Sequence, residues 1–175
     1  MIPREDFEIY NRRILINMSI KKLNQLQLSY LAGFLDGDGA VFAQIVRGDA
    51  YKHKFDVRVT VGFYQHISKK WFLERLRTSL GNIGYIRQRG NMLEYIITAS
   101  QAVFLVLDSL LPYLVLKNKS AGLILKIIDK KRRVVNFNDF IEVCKIVDEV
   151  SYLTYGKKKT ISSQTVEDYF SFKSP

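Results

Sequence analysis

The chain has 175 residues, of which 47% are hydrophobic and 25% are charged. That length and composition are typical of one globular domain and exclude an intrinsically disordered chain. The 27 Lys and Arg residues outnumber the 17 Asp and Glu residues, and the net charge of +10 favours a polyanion such as nucleic acid as the partner.

Residues 1–22 are weakly patterned, and we treat them as an N-terminal extension ahead of a single domain over residues 23–175. From Leu23 to Leu35 apolar residues recur at helical spacing, which predicts a helix that ends near Asp38. After Gly39 the apolar period changes to two, so a strand is expected over residues 40–47.

The clearest strand is expected over residues 54–66. One face carries only apolar residues, namely Phe55, Val57, Val59, Val61 and Phe63. The other face carries Lys54, Asp56, Arg58, Thr60, Gly62 and Tyr64. Such alternation is typical of an antiparallel sheet with one buried face and one face open to water.

The rest of the chain alternates between helices and one hairpin. Residues 68–80 read as a helix with Ser68 as its N-cap and with Trp71, Phe72 and Leu76 as its apolar stripe. Residues 84–99 read as a hairpin that turns at Gly90–Asn91, and a further helix, capped by Ser100, is expected to end at Pro112. The last three helices are expected over 118–132, 137–153 and 162–171, the last two capped by Asn136 and Ser162.

This order of elements predicts an α+β domain. Its four strands would form one antiparallel sheet with helices on one face, followed by C-terminal helices. No apolar run is long enough to span a membrane, because Asp108 and Pro112 interrupt the longest one. The single cysteine, Cys144, lies in an apolar helical pattern and fits a reducing, intracellular compartment.

The uncovered face of the sheet carries arginine, glutamine, tyrosine and acidic side chains. These residue types recognise base edges as well as phosphates, and a two-stranded ribbon fits the major groove of DNA. A polar face open only to water is the alternative. We therefore expect double-stranded DNA as the partner.

The helix before Gly39 has an unusual end, with two acidic residues and several glycines. Gly33 and Gly37 lie one turn apart and would let a second copy of the helix approach closely. The two copies of Asp38 would then converge, and a divalent cation such as Mg²⁺ would relieve their repulsion. The alternative is that Asp36 and Asp38 only shape a glycine-rich turn.

The stretch YLAGFLDGDG, residues 30–39, resembles the signature of the LAGLIDADG homing endonucleases, and the resemblance extends over about residues 27–172. Five further stretches resemble the single-motif algal members that act as homodimers: AQI (43–45), KKWFL (69–73), GYIRQRG (84–90), PYLVLKNKSAGLILKII (112–128) and FIEVCKIVDEV (140–150). The resemblance implies an αββαββα core with a saddle-like four-stranded antiparallel sheet.

The resemblance also implies roles for individual residues. Asp38 corresponds to the metal-binding aspartate, and the carbonyl of Gly37 is a further metal ligand. Gln65 corresponds to a residue that organises active-site water, Lys117 to a basic residue near the scissile phosphate, and Lys69 to a second basic residue of that solvent network. The implied metal is Mg²⁺, for which Mn²⁺ would substitute, and no small-molecule cofactor is expected.

The outward-facing residues expected to contact DNA bases are Phe42, Gln44, Val46, Tyr51, Asp56, Arg58, Thr60, Arg87, Arg89, Glu94 and Ile96. The basic residues expected to contact phosphates, or to be plain solvated surface, are Lys119, Lys130, Lys131, Arg132, Arg133, Lys157, Lys158 and Lys159. Ala32, Gly33 and Gly37 are expected at the dimer interface.

A second stretch, SAGLILKII (120–128), faintly resembles the motif, but it has no acid at the position of Asp38. One motif per chain means that the second aspartate comes from a second subunit, so a homodimer is expected. The implied activity is hydrolysis of one phosphodiester per strand at a long pseudo-palindromic site, leaving short 3′ overhangs. An intron RNA maturase and a cleavage-inactive DNA-binding protein are the alternatives. A chloroplast or mitochondrial location is implied by the resemblance alone.

Overall fold

The computed structural model describes residue 20, residues 22–154 and residues 161–171. The described helices are α1 (Gln25–Asp38), α2 (Lys70–Ser79), α3 (Ser100–Leu110), α4 (Asn118–Arg132), α5 (Phe137–Leu153) and α6 (Ser163–Ser171). The strands are β1 (Gly39–Arg47), β2 (Phe55–His66), β3 (Tyr85–Arg89) and β4 (Met92–Ile97). Short 3₁₀ turns at Ile67–Lys69 and Leu111–Tyr113 precede α2 and follow α3.

The four strands form one sheet in the order β1-β2-β4-β3. Strand β2 pairs antiparallel with β4 from Val61 opposite Ile97 to His66 opposite Met92. Strand β3 pairs antiparallel with the other edge of β4, and the hairpin turns at Gly90–Asn91. The α+β class and the four-stranded antiparallel sheet are therefore confirmed.

The chain is built from two compact units. Unit 1 takes in Met1–Ala40 and Thr60–Asn118, and unit 2 takes in Val41–Val59 and Lys119–Pro175, as far as the structure describes them. The single domain over residues 23–175 stays a prediction.

Burial follows the alternation expected for a sheet with two different faces. In β1, Val41, Ala43 and Ile45 are buried, whereas Gln44 between them is exposed. In β2, Val57 and Val59 are buried and Arg58 is exposed. Side chains on successive residues of a strand point to opposite faces, so the pattern alone determines which residues face outward.

The core of unit 1 joins α1 to the sheet through aromatic rings. Phe63 of β2 stacks against Phe34 of α1, with ring centroids 5.6 Å apart, and against Tyr95 of β4 at 5.9 Å. The buried hydroxyl of Tyr95 donates to the carbonyl oxygen of Ile83 at 2.8 Å. This hydrogen bond satisfies a polar group that would otherwise be costly to bury.

Among the described helices, α1 and α5 begin with capping boxes, and the predicted cap Ser162 exchanges the same two hydrogen bonds with Thr165, both at 3.2 Å, at the start of α6. Asn24 and Gln27 hydrogen-bond each other's backbone N–H groups at the start of α1, at 3.0 and 2.9 Å. Asn136 and Asp139 do the same at the start of α5, which confirms Asn136 as a cap. Each box satisfies two N–H groups that lack partners within the helix.

Unit 2 buries the single cysteine. Cys144 lies on α5 and is 0% exposed, and burial raises the pKa of its thiol to about 12. A neutral, buried thiol packs as a small apolar side chain, which agrees with the apolar helical pattern around Cys144.

Several predicted details are wrong. Trp71 is 60% exposed, and Leu73 rather than Trp71 packs inside with Leu76. The His66 ring, not Ser68, caps the turn before α2 by accepting from the Ser68 N–H at 3.3 Å. Ser100 is the first residue of α3 and does not cap it. Within the described part of the chain, no helix is both long and apolar enough to cross a membrane.

Candidate active site

The end of α1 presents an exposed carboxylate. Asp38 is the last residue of the helix, and its Oδ2 accepts a hydrogen bond from Nε2 of Gln65 on β2 at 2.8 Å. The structure thus brings together two of the residues predicted for catalysis, which lie 27 positions apart in sequence. The hydrogen bond fixes the orientation of Asp38 and leaves its Oδ1 for another ligand.

Gly39 allows the chain to pass directly from α1 into β1. A Cβ atom on Gly39 would lie 2.6 Å from the carbonyl oxygen of Leu35 and 2.5 Å from the Leu35 side chain. The first of these contacts is with backbone, so it could not be relieved by a rotamer change. Any larger residue would therefore displace the helix end that carries Asp38.

Asp36 has a different environment from Asp38. It is only 9% exposed, and its carboxylate accepts three backbone hydrogen bonds from the segment before α4. Oδ2 accepts from the N–H groups of Val115 and Leu116 at 2.7 and 3.1 Å, and Oδ1 accepts from the N–H of Lys117 at 2.9 Å. Three donors compensate the burial of a carboxylate, so Asp36 is a structural anchor.

Lys117 is held at the same helix end. Its Nζ donates to the backbone carbonyl of Asp36 at 2.5 Å. The last turn of α1 contains no basic residue of its own. Lys117 therefore supplies the cation that a helix C-terminus favours, and Asp36 positions the backbone from which that side chain extends.

The role of Lys69 in catalysis remains a prediction. It ends the 3₁₀ turn that follows β2 and is exposed. Among the described residues, no hydrogen bond or ion pair joins it to Asp38, Gln65 or Lys117. The predicted carbonyl ligand of Gly37 lies one residue before Asp38, on an exposed part of the helix.

The predicted dimer contacts fall into two groups. Gly33 and Gly37 are exposed, and an added Cβ at either one would meet nothing within 4 Å. Ala32 is 0% exposed, so its methyl group packs inside its own chain and is not available to a partner. Helical geometry explains the difference, because residues 33 and 37 share a face and residue 32 is turned away from it by about 100°.

Three predicted DNA-reading residues are covered by their neighbours. Thr60, Glu94 and Ile96 are 7%, 7% and 4% exposed, although all lie on outward-facing positions. Glu94 accepts from Nε and Nη2 of Arg87, both at 2.6 Å. Its carboxylate is therefore engaged with Arg87, while half of the Arg87 side chain stays exposed.

Unit 2 carries further predicted contacts. Asp56 pairs with Lys131 Nζ at 2.6 Å, and the same ammonium donates to the carbonyl of Val57 at 2.7 Å. This pairing removes Lys131 from the set of free phosphate-binding cations and neutralises Asp56. Arg58 donates to the Tyr51 hydroxyl at 2.9 Å.

The remaining predicted contacts differ in exposure. Gln44, Arg89, Lys119, Lys130, Arg132 and Arg133 are exposed, and Phe42 and Val46 are partly exposed. Lys157, Lys158 and Lys159 lie outside the described residues.

Tyr64 is a further outward-facing residue that is absent from the predicted DNA contacts. The alternation of β2 places it on the outward face, which was the available signal. Its neighbour on that face is Gly62, which has no side chain to contact DNA. The alternation of the strand gives the face on which Tyr64 lies, but it does not predict where the Tyr64 ring lies relative to Gly62.

Comparisons with known proteins find a matching family and similar proteins. A family model described as LAGLIDADG endonuclease matches residues 31–128. Over 146 residues the chain is 39% identical to DNA endonuclease I-CreI of Chlamydomonas reinhardtii, covering 83% of this chain and 89% of that protein. It is 36% identical to DNA endonuclease I-CvuI of Chlorella vulgaris over 146 residues, covering 83% and 90%.

The fold is also similar to a solved structure. The crystal structure of I-CvuI in complex with its target in the presence of Ca matches with a TM-score of 0.79 and 34% sequence identity. The match covers 85% of this chain and 94% of that one.

Proposed function

The chain belongs to the LAGLIDADG endonuclease family, and we propose that it is a site-specific DNA endonuclease that hydrolyses one phosphodiester in each strand. The observation that carries the proposal is the helix end at Asp38. There an exposed carboxylate is oriented by Gln65, and Lys117 is anchored on the same helix. A protein that only binds DNA has no physical need for this set.

The donor chemistry fits a hard divalent cation. Asp38 offers a carboxylate oxygen and Gly37 a backbone carbonyl, which are ligand types that Mg²⁺ prefers. Among the described residues no group of three or more His, Cys, Asp or Glu could hold a metal ion within one chain. One carboxylate per chain fits an ion that is shared with a second subunit and with DNA phosphates. When bound, the cation would supply water activation and stabilisation of the leaving oxygen.

The protein groups have separate tasks in this proposal. Gln65 holds Asp38 in place and, with its exposed surface, orients water beside the scissile phosphate. The Lys117 ammonium stabilises negative charge that develops on that phosphate. Asp36 keeps the Lys117 backbone fixed and does not act on DNA.

Divalent-metal use is supported by relatives: structures of I-CvuI with DNA were determined in the presence of Ca and of Mg. We propose Mg²⁺ as the physiological ion here, with Mn²⁺ as a substitute. We also propose that the substrate is a long pseudo-palindromic site cut with short 3′ overhangs. An organellar location, in a chloroplast or mitochondrion, is a further inference from the family.

We propose that the active species is a homodimer in which the α1 helices of two copies pair. Gly33 and Gly37 leave room for close approach, and Leu26 and Tyr30 on the same side of α1 are 82% and 61% exposed. Near the other end of α1, Val115 and Leu116 are 80% and 78% exposed, although they adjoin the buried Asp36. Exposed apolar surface of this extent is typical of a protein interface.

The test is cleavage of a DNA library that partially randomises the I-CreI target, together with the joined flanks of this protein's own gene. We expect double-strand cuts with Mg²⁺ that disappear when the metal is chelated. Asp38→Asn should lower the cleavage rate at least a hundredfold, because the amide is a poor metal ligand, while binding is retained.

The matched control is Asp108→Asn, which changes an exposed aspartate on α3 and should cut like the unaltered protein. Cutting that survives both Asp38→Asn and chelation would contradict the proposal. Tight binding of intron RNA without any DNA cleavage would favour a maturase instead.

A further inference from the structure

Tyr64 occupies space above a neighbouring residue of the sheet. A Cβ atom on Gly62 would lie 2.7 Å from the Tyr64 hydroxyl oxygen and 3.0 Å from Cζ of the same ring. The Tyr64 side chain is therefore folded back along β2 and covers Gly62. Residues two apart on a strand are about 6.7 Å apart, a span that a tyrosine side chain can bridge.

Ile96 borders the same space above Gly62. It lies opposite Gly62 in the pairing of β2 with β4, and its Cδ1 is 3.1 Å from the same Cβ position. The Tyr64 ring and the Ile96 side chain therefore both border the space above the Gly62 backbone. A ring that already packs against the sheet loses little conformational entropy when it contacts a ligand.

The Tyr64 hydroxyl is available for a ligand. Among the described residues it has no hydrogen-bond partner, whereas the Tyr95 hydroxyl of the same unit donates to the Ile83 carbonyl. Tyr64 is partly exposed on the outward face. A fixed donor with no partner in its own chain is the kind of group that recognises a polar atom on a partner.

The neighbours of Tyr64 favour a role as hydrogen-bond donor. Glu94, opposite Tyr64 in the sheet, and Arg87, opposite Glu94 in the next strand, are bonded to each other. Burial and the Glu94 charge together raise the pKa of Tyr64, so the phenol keeps its proton at neutral pH. This part of the outward face therefore carries the ion pair of Arg87 with Glu94, and beside it the Tyr64 hydroxyl, which has no hydrogen-bond partner among the described residues.

We propose that Tyr64 is a specificity-determining residue whose hydroxyl donates a hydrogen bond to N7 of a purine in the major groove of each half-site. N7 is the acceptor that both purines present there. The inference rests on the proposed DNA endonuclease function. In this proposal, Tyr64 contacts DNA from the place on the outward face of the sheet where a side chain at residue 62 would otherwise lie.

The experiment uses the full-length protein and a site that the unaltered protein cleaves, with every single-base variant of that site. Binding is measured with Ca²⁺ and cleavage with Mg²⁺. Tyr64→Phe keeps the ring over Gly62 and removes only the hydroxyl. We expect the preference for purine over pyrimidine to fall about fivefold at one position of each half-site, which corresponds to one neutral hydrogen bond.

A chemical change in the DNA tests the same hydrogen bond from the other side. Replacing the purine at that position by its 7-deaza analogue removes N7 and should weaken binding of the unaltered protein by about fivefold. The same replacement should have no further effect on Tyr64→Phe, because each change already removes the bond. Additive losses, or an unchanged base preference for Tyr64→Phe, would overturn the assignment.

Two glycine variants separate this role from a general effect on folding. Gly62→Ala places a methyl group against the Tyr64 ring and should alter the preference at the same base pair. Gly122→Ala, where an added Cβ meets nothing within 4 Å, should leave all preferences unchanged. If the unaltered protein binds and cuts DNA but these results fail, only the role of Tyr64 is wrong. If it cuts no DNA, the proposed function fails as well.

Discussion

Asp36 and Asp38 lie two residues apart on α1, yet their carboxylates have opposite environments. Two residues correspond to a rotation of about 200° around a helix, so the side chains point to different sides. Asp36 is turned inward and binds three backbone N–H groups, whereas Asp38 is exposed and bonds only to Gln65 among the described residues. The acidic helix end therefore combines a structural anchor with the carboxylate proposed as the metal ligand.

The anchoring role predicts that Asp36→Ala loses stability and activity together. Without the carboxylate, the N–H groups of residues 115–117 lose their acceptor, and we expect the free energy of unfolding to fall by about 3 kcal/mol. The cleavage rate should also fall, because the Lys117 backbone is no longer fixed, while the affinity for DNA should change little. Chemical denaturation and single-turnover cleavage measure the two effects.

Asp108→Ala is the matched control for this prediction, because it removes an exposed aspartate from α3. It should change neither quantity. An Asp36→Ala protein with unaltered stability and cleavage would show that these hydrogen bonds contribute nothing.

At the scale of a single element, α1 has one face packed in its own core and one open face, which is the face proposed to meet a second copy. Leu31 and Leu35 are 7% and 0% exposed, whereas Gly33 and Gly37 are open. Within one chain these glycines weaken the helix, since glycine costs about 0.5–1 kcal/mol relative to alanine inside a helix. Close approach of a second helix is a physical reason to keep them.

Gly33→Ala is therefore expected to have opposite effects on the stability of the single chain and on the stability of the proposed dimer. The substitution should stabilise the isolated chain by up to about 1 kcal/mol, because the added methyl group meets nothing within it. The dimer should be weakened, because the methyl group holds the paired helices apart. Sedimentation equilibrium reports the dimer constant, and denaturation of a dilute sample reports the stability of the chain.

Gly122→Ala on α4 makes the same chemical change where no partner is expected. It should leave the dimer constant unaltered. Equal dimer affinity for Gly33→Ala and the unaltered chain would contradict pairing through this face.

At the scale of the whole molecule, the charge of +10 per chain governs affinity more than specificity. Each phosphate neutralised by Lys or Arg contributes about −0.9 to the slope of log K against log salt concentration. Lys119→Ala should reduce the steepness of that slope by about 1 per chain and should leave base preferences unchanged. Fluorescence anisotropy over a range of salt concentrations measures the slope.

Lys145→Ala is the comparison for the salt prediction. Lys145 is also exposed, but it pairs with Glu142 at 3.0 Å on the same helix and is not a predicted DNA contact. Its removal should leave the slope unchanged. The same loss of slope for both lysines would mean that net charge, rather than a specific phosphate contact, is responsible.

The sequence by itself determined the class of fold and the family. Helical and alternating periods depend on neighbours along the chain, and so the predicted ranges 118–132 and 137–153 coincide with α4 and α5. Residues 30–39 likewise carry the family signature in one continuous stretch. The pattern did not determine the cap before α2, because Ser68 and His66 could both cap the same turn and only local geometry decides between them.

Only the tertiary structure decided what the site residues contact. Asp36 binds Lys117 although 81 positions separate them, and no spacing in the sequence encodes that contact. The sequence pattern likewise did not predict the burial of Ala32, the exposure of Trp71 or the position of the Tyr64 ring over Gly62. The physical reason is that periodicity determines the face on which a side chain lies, whereas its neighbours there come from packing of distant segments.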